Sequence, residues 1–269
     1  MKRYNLILSA MALVALIGWT TGCGNVIQKL RARDRLNKGV NAFRNGNYPQ
    51  AVEHFKRSIQ MDPDFMNARL YLASAYMSQY VPGAESEENK RHAEAATKGF
   101  MEVLDRDANN QLAAESLGSL AFNQKKFDEA KKWYLRLIEI NNKKKEAYYN
   151  IGVIDWTRAF QATAEVRAKV GMRPEDPGPI MDKKAREQLK EQSEPVIKEG
   201  IEVLQKALAI DSNYEDAMGY LSLLYRQQAD IVDTVDESKN LTAQADQWMQ
   251  KTLDLKKKKT EGTAAPKTS

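Results

Sequence analysis

Between Gly39 and Pro63 the small and apolar positions fall at helical spacing in two short blocks. Gly39 and Phe43 lie four apart in the first, and Ala51, Phe55, Ser58 and Ile59 continue that spacing in the second. Side chains spaced in this way share one face of an α-helix. Gly46-Asn47-Tyr48 separates the blocks with residues that favour a tight bend, and Asp62-Pro63 closes the second, because proline cannot continue a helix. The pattern predicts two antiparallel helices joined by a turn. With only 14 Gly and 8 Pro in 269 residues, it also argues against a many-stranded β architecture.

The same two blocks recur along the chain. The small residue of the first helix reappears as Ala73, Gly118, Gly152 and Ser222, at intervals of 34, 45, 34 and 70. The small residue of the second helix runs Ala51, Ala96, Ala130, Gly200 and Ala245, at 45, 34, 70 and 45. Four positions after each stands a bulky residue: Phe55, Phe100, Tyr134, Leu204 and Met249. Every interval is 34, alone or with an insertion of 11 or 36. A fixed period of this length marks a repeat architecture.

Helices that pack within ~8–10 Å need a small residue where their backbones approach and a large one beside it to fill the next hole. One such pair cannot bury its face alone, so several must stack. The register resembles that of the tetratricopeptide-repeat (TPR) family over about residues 34–255. The resemblance implies an all-α fold, a right-handed superhelical solenoid of antiparallel helix pairs, here about five repeats. The third, Gln111–Lys144, is the most regular. The expected repeat-packing positions are Gly39, Ala51, Phe55, Ala73, Ala96, Phe100, Gly118, Ala130, Tyr134, Gly152 and Ala207.

Three insertions interrupt the period, at about 78–91, 157–195 and 227–240. The first is polar and acidic, which predicts a surface loop. In the fourth repeat no Gly or Pro interrupts the helix from Glu146 to about Val170, so it should run roughly 36 Å. Gly171 to Pro179, with three prolines in six residues, should form a non-helical tip. A return helix is expected from near Met181, with Pro195 kinking it or opening a new one. The expected product is a long helical hairpin protruding from the solenoid. Eight basic and seven acidic residues between Arg158 and Glu194 nearly cancel, as suits a solvated arm. The second helix of the last repeat, Leu241–Leu255, is expected to form a polar cap.

In TPR proteins the first helices line a concave groove. Carried over by register, the resemblance puts there Leu36, Val40 and Phe43, then Leu70, Ser74 and Met77, then Glu115, Ser119 and Phe122. Tyr149, Val153 and Trp156 follow, and Gly219, Leu223 and Arg226 end the series. The protein-binding candidates among them are Val40, Phe43, Leu70, Met77, Phe122, Tyr149, Val153 and Trp156, apolar and aromatic side chains of the kind enriched at interfaces. An apolar stripe at this spacing serves equally as core, so a groove filled by the chain itself stays open. The Lys and Asn clamp by which cytosolic chaperone-binding TPRs hold a peptide carboxylate is missing from these positions.

Charge changes the picture little. The net +5 comes from the ends: Lys2 and Arg3 at one, and a basic tail at 256–269, expected to be disordered, at the other. Residues 23–255 carry a net −1, which lacks the electrostatic footprint of a nucleic-acid binder. One cysteine and two separated histidines, His54 and His92, offer no metal set of His/Cys type. No phosphate loop, nucleophile motif or dinucleotide fingerprint is present, so neither an enzyme nor a cofactor is expected.

Residues 1–22 read as a signal peptide: Lys2 and Arg3, an apolar run from Leu6 to Ile17, then small and polar residues. That run is short for a membrane span, which needs ~20 residues. Thr20-Thr21-Gly22-Cys23 resembles the bacterial lipobox, although Thr20 stands where that motif has an aliphatic residue. The resemblance implies lipidation of Cys23, a tether at 23–33 and a membrane held through the N-terminal lipid; a plain secretory signal and an uncleaved anchor are the alternatives. Gly24, rather than the Asp of inner-membrane retention, favours an outer membrane where the source has one. The expected function is a non-catalytic scaffold or assembly adaptor of the bacterial cell envelope that binds other proteins or peptides. The alternative is a soluble periplasmic structural module, with a homo-oligomer as a further candidate state.

Overall fold

The computed structural model describes residues 25–173 and 175–263, with side chains to residue 260. Every regular element among them is helical: α1 (25–44), α2 (Tyr48–Met61), α3 (Met66–Met77), α4 (Glu87–Arg106), α5 (Gln111–Asn123), α6 (Phe127–Ile140), α7 (Lys145–Lys169), α8 (Lys183–Ile210), α9 (Glu215–Ile231) and α10 (Val235–Thr263). Successive helices pair, α1 with α2, α3 with α4, α7 with α8 and α9 with α10. By their contacts they divide into two compact units, one ending at Gln124 with α1–α5 and one beginning at Lys125 with α6–α10. Within each unit, every helix packs against the next in the chain.

At two places a glycine of a first helix packs directly on a large side chain of the next helix. All eleven expected packing positions are buried. A Cβ built on Gly39 would lie 2.4 Å from the Phe55 ring, and one on Gly152 would lie 2.5 Å from Leu204. Neither site has room for an alanine without movement. Phe55, Phe100 and Leu204 are fully buried, and burial of such side chains is worth about 1.5–3 kcal/mol each. Hydroxyls pin two of the pairs: Ser58 Oγ donates to the Ala32 carbonyl at 2.7 Å, and Ser222 Oγ to that of Ala245 at 2.8 Å.

A further register lies in the way the second helices end. Asp62, Asp107, Asn141 and Asp211 follow α2, α4, α6 and α8 in non-helical conformation, each returning its N–H to the carbonyl four residues back. The carbonyl of each then accepts from the N–H three residues on, in Phe65, Asn110, Lys144 and Tyr214. Short polar side chains that compete with helical bonding suit such exits.

The insertions and the basic tail differ from expectation in three respects. Residues 87–90 are the first turn of α4 rather than loop, because Ser86 caps that helix by accepting from the Asn89 N–H at 3.2 Å. Of the two placements open to Pro195, the structure shows the one inside a continuous helix, α8. The far end of the α7–α8 pair does not stand free: it is tied to the end of α9, where the Ile180 N–H donates to the Asp230 carbonyl at 3.0 Å. The basic tail is helical as far as the structure describes it, since α10 runs to Thr263 and Lys259 Nζ lies 2.6 Å from Glu215. Lysine is a good helix former, and that ion pair holds the end of α10 on the start of α9.

Candidate functional site

All eight protein-binding candidates are half-buried. In the first unit Val40 and Phe43 pack on the α1–α3 core, with the Phe43 ring 5.3 Å from Tyr48 and 6.5 Å from Tyr71. Leu70 and Met77 lie on α3, and Phe122 is the penultimate residue of α5. Leu36 is core instead, 9% exposed, and the Ser74 hydroxyl is turned back onto the Leu70 carbonyl at 3.0 Å. Cys23 lies outside the described residues.

In the second unit the candidates converge. Tyr149 and Trp156, two turns apart on α7, both meet Tyr220 of α9, at 5.6 and 5.2 Å between ring centres. Tyr149 also lies 5.3 Å from Tyr214. Burial, reinforced by Tyr220 and Asp216, pushes the Tyr149 phenol up to about 12, so it stays neutral at any physiological pH. Trp156 stacks on Phe160 at 5.2 Å, and Phe160 is 45% exposed although apolar.

Beyond this aromatic row opens a cleft of about 470 Å³. Trp156, Phe160, Thr163 and Arg167 supply one wall from α7, and Leu223, Arg226, Gln227 and Asp230 the other from α9. Met172 and the segment 175–178 close its end, with Thr242 of α10 beside them. Arg167 fixes that end. Its guanidinium binds the Asp230 carboxylate through two nitrogens and donates to the carbonyls of Arg173 at 2.8 Å and Asp176 at 3.0 Å. Trp156, Leu223 and Arg226, all placed in the groove by register, thus meet at one cleft.

Sequence reasoning missed Phe160, Thr163, Met172 and Gln227. Three of them carried a signal. Phe160 and Thr163 follow Trp156 by four and seven residues and Gln227 follows Leu223 by four, so each shares a face with a groove position. Met172 carried none, since its place depends on how the tip folds back. Among the described residues no group of three or more His, Cys, Asp or Glu side chains is placed to hold a metal ion, and no helix is long and apolar enough to cross a membrane.

Residues 36–99 and 113–144 each match a model of the tetratricopeptide repeat. The chain carries tetratricopeptide repeats. Its TPR fold is similar to that of several solved proteins. A MamA crystal structure is 17% identical with a TM-score of 0.56, over 89% of this chain and 98% of that one. MamA from Desulfovibrio magneticus RS-1, residue 41 to the end, is 15% identical with a TM-score of 0.55, over 85% and 96%. YrrB, a TPR protein with an unusual peptide-binding site, is 13% identical with a TM-score of 0.51, over 83% and 90%. At these identities the likeness is one of fold. No curated protein matches the TPR chain by sequence.

Proposed function

We propose that this TPR chain is an exported, lipid-anchored adaptor that binds other proteins and catalyses nothing itself. The observation that carries the binding half is the convergence of Trp156, Leu223 and an exposed Phe160 on one open cleft. Aromatic side chains half-buried at a concave site are the usual anchors of protein recognition. The peptide-binding site of YrrB, on a similar fold, supports the same reading.

The anchoring half rests on residues 1–23, with Cys23 as the acylated residue and the cell envelope, at an outer membrane where there is one, as the destination. The start of α1 supports it. Val26, Ile27 and Leu30 are 60%, 49% and 57% exposed, and Lys29, Arg31 and Arg33 lie among them. Exposed aliphatic side chains interleaved with cations suit the boundary between acyl chains and anionic headgroups.

Fractionation of cells that express Cys23→Ala tests the anchor. The wild type should sediment with membranes and the variant should appear in the soluble envelope fraction; an unchanged distribution removes the anchor from the account. A second reading, a soluble module that fills its own groove, is favoured by the packing of Tyr149 and Trp156 against Tyr220. It expects size to depend on concentration in solution, with no loss of association in Trp156→Ala.

A further inference from the structure

Three residues that line the cleft of the second unit each carry a buried polar side-chain atom that lacks a partner: Trp156 Nε1, Thr163 Oγ1 and Gln227 Oε1. Thr163 is 2% exposed. A buried polar group without a hydrogen bond costs about 1–3 kcal/mol, so three beside one cavity call for an occupant that pairs with them. The set is specific in its chemistry. Trp156 can only donate, Gln227 Oε1 can only accept, and the threonine hydroxyl does either. One peptide group supplies the matching carbonyl and N–H.

Around these atoms the cleft is apolar, with Trp156, Phe160, Met172 and Leu223. Its charges are already engaged. Arg167 is held by Asp230, Arg226 by Asp246, and Asp176 and Glu175 by Arg173. An ionic ligand would have to break one of those pairs, whereas a neutral one need not. The volume of about 470 Å³ lies within the range of roughly 300–1,000 Å³ common for ligand sites.

We infer that this cleft receives a short extended segment of a partner protein, one uncharged apolar side chain lying against Trp156, Phe160 and Leu223 and one peptide group hydrogen-bonded by Trp156 and Gln227. The inference rests on the adaptor reading and narrows it: Met172 and the residues at 175–178 complete a specificity pocket rather than serving only as a turn.

The test uses N-acetylated, C-amidated pentapeptides Ala-Ala-X-Ala-Ala, titrated into the protein while the Trp156 indole N–H and the Met172 methyl are followed by NMR. Peptides with X = Leu or Phe should give saturable shifts at both probes, and those with X = Ser, Lys or Glu should not. Gln227→Leu and Thr163→Val, close in shape and lacking the unpaired atoms, should each weaken the Leu peptide by roughly threefold to tenfold. Circular dichroism shows which variants fold, and either one alone suffices. Absence of saturable shifts with every peptide, equal binding of the Leu and Lys peptides, or unaltered affinity in a folded variant would overturn the inference. So would dimerisation that Gln227→Leu abolishes, which would give the cleft to a second copy. A partner crosslinked in cells despite a silent cleft sinks this inference and leaves the adaptor reading intact.

Discussion

Arg167 and Asp230, 63 residues apart in sequence, form a nearly buried pair, with Arg167 Nε 2.9 Å from Asp230 Oδ2 and side chains 12% and 5% exposed. The pair fastens the end of α7 to the end of α9. Burial pushes the Asp230 carboxyl up from its ordinary value, and Arg167 draws it back down. Arg167→Leu would strand that carboxylate and lower unfolding stability by about 3–5 kcal/mol. The double variant Arg167→Leu/Asp230→Leu should lose less, because no charge remains uncompensated. The loss in the single variant should be greater at pH 8 than at pH 5, since an unpaired buried carboxyl resists ionisation in the folded state. Urea unfolding at both pH values measures each quantity.

The Gly39–Phe55 contact gives a prediction of opposite steric sign. Gly39→Ala would thrust a methyl into a fully buried ring that cannot retreat, at about 1–3 kcal/mol. Phe55→Ala would empty the same site, at about 3–5 kcal/mol. Gly39→Ala/Phe55→Leu should be more stable than the sum of its single variants implies, because the smaller side chain makes room. Equilibrium unfolding of the four proteins closes the cycle.

Asp155 predicts a slope with pH. It is fully buried on α7, with Lys131 Nζ 2.9 Å away, and Lys131 also binds Glu199 at 2.8 Å. Burial pushes its carboxyl up to about 6; Lys131 opposes that and Glu199 adds to it. In the unfolded chain an aspartate ionises near ~3.9. The unfolded state therefore releases its proton first as pH rises, and ionisation there favours unfolding. The contribution of Asp155 is complete below pH 4 and lost by pH 6 to 7. Asp155→Asn should remove that component, so the stability difference, wild type minus variant, should fall across the window; a flat difference refutes the assignment.

At the start of α1, Val26→Ser/Ile27→Ser/Leu30→Ser should change unfolding stability by less than about 0.5 kcal/mol per site, because these side chains are exposed. Binding of the unlipidated protein to vesicles with anionic lipid should nevertheless fall. Co-sedimentation with vesicles measures this, and equal sedimentation of variant and wild type would detach the stripe from the membrane.

The repeats were legible in the chain because Gly39, Gly152 and their counterparts obey a local steric rule that repeats with the backbone. The ends of the second helices, at Asp62, Asp107, Asn141 and Asp211, carried the same register in plain view. The cleft was half-legible. Trp156, Leu223 and Arg226 followed from register, whereas Met172 depends on where the chain after α7 lands. That landing is set by Arg167 meeting Asp230, a contact across 63 residues that no local pattern encodes. The helical course of Lys256–Lys259 was hidden for a related reason: a run of like charges reads as solvated chain until Glu215 is brought to meet it.

Photocrosslinking in living cells bears most directly on the adaptor reading, with benzoylphenylalanine placed at Phe160 in the cleft and, separately, at exposed Lys206 on α8. The account predicts an adduct of defined mass, containing a second protein, from position 160 and none from position 206. Identical adduct patterns at the two positions, or none at position 160, would contradict it.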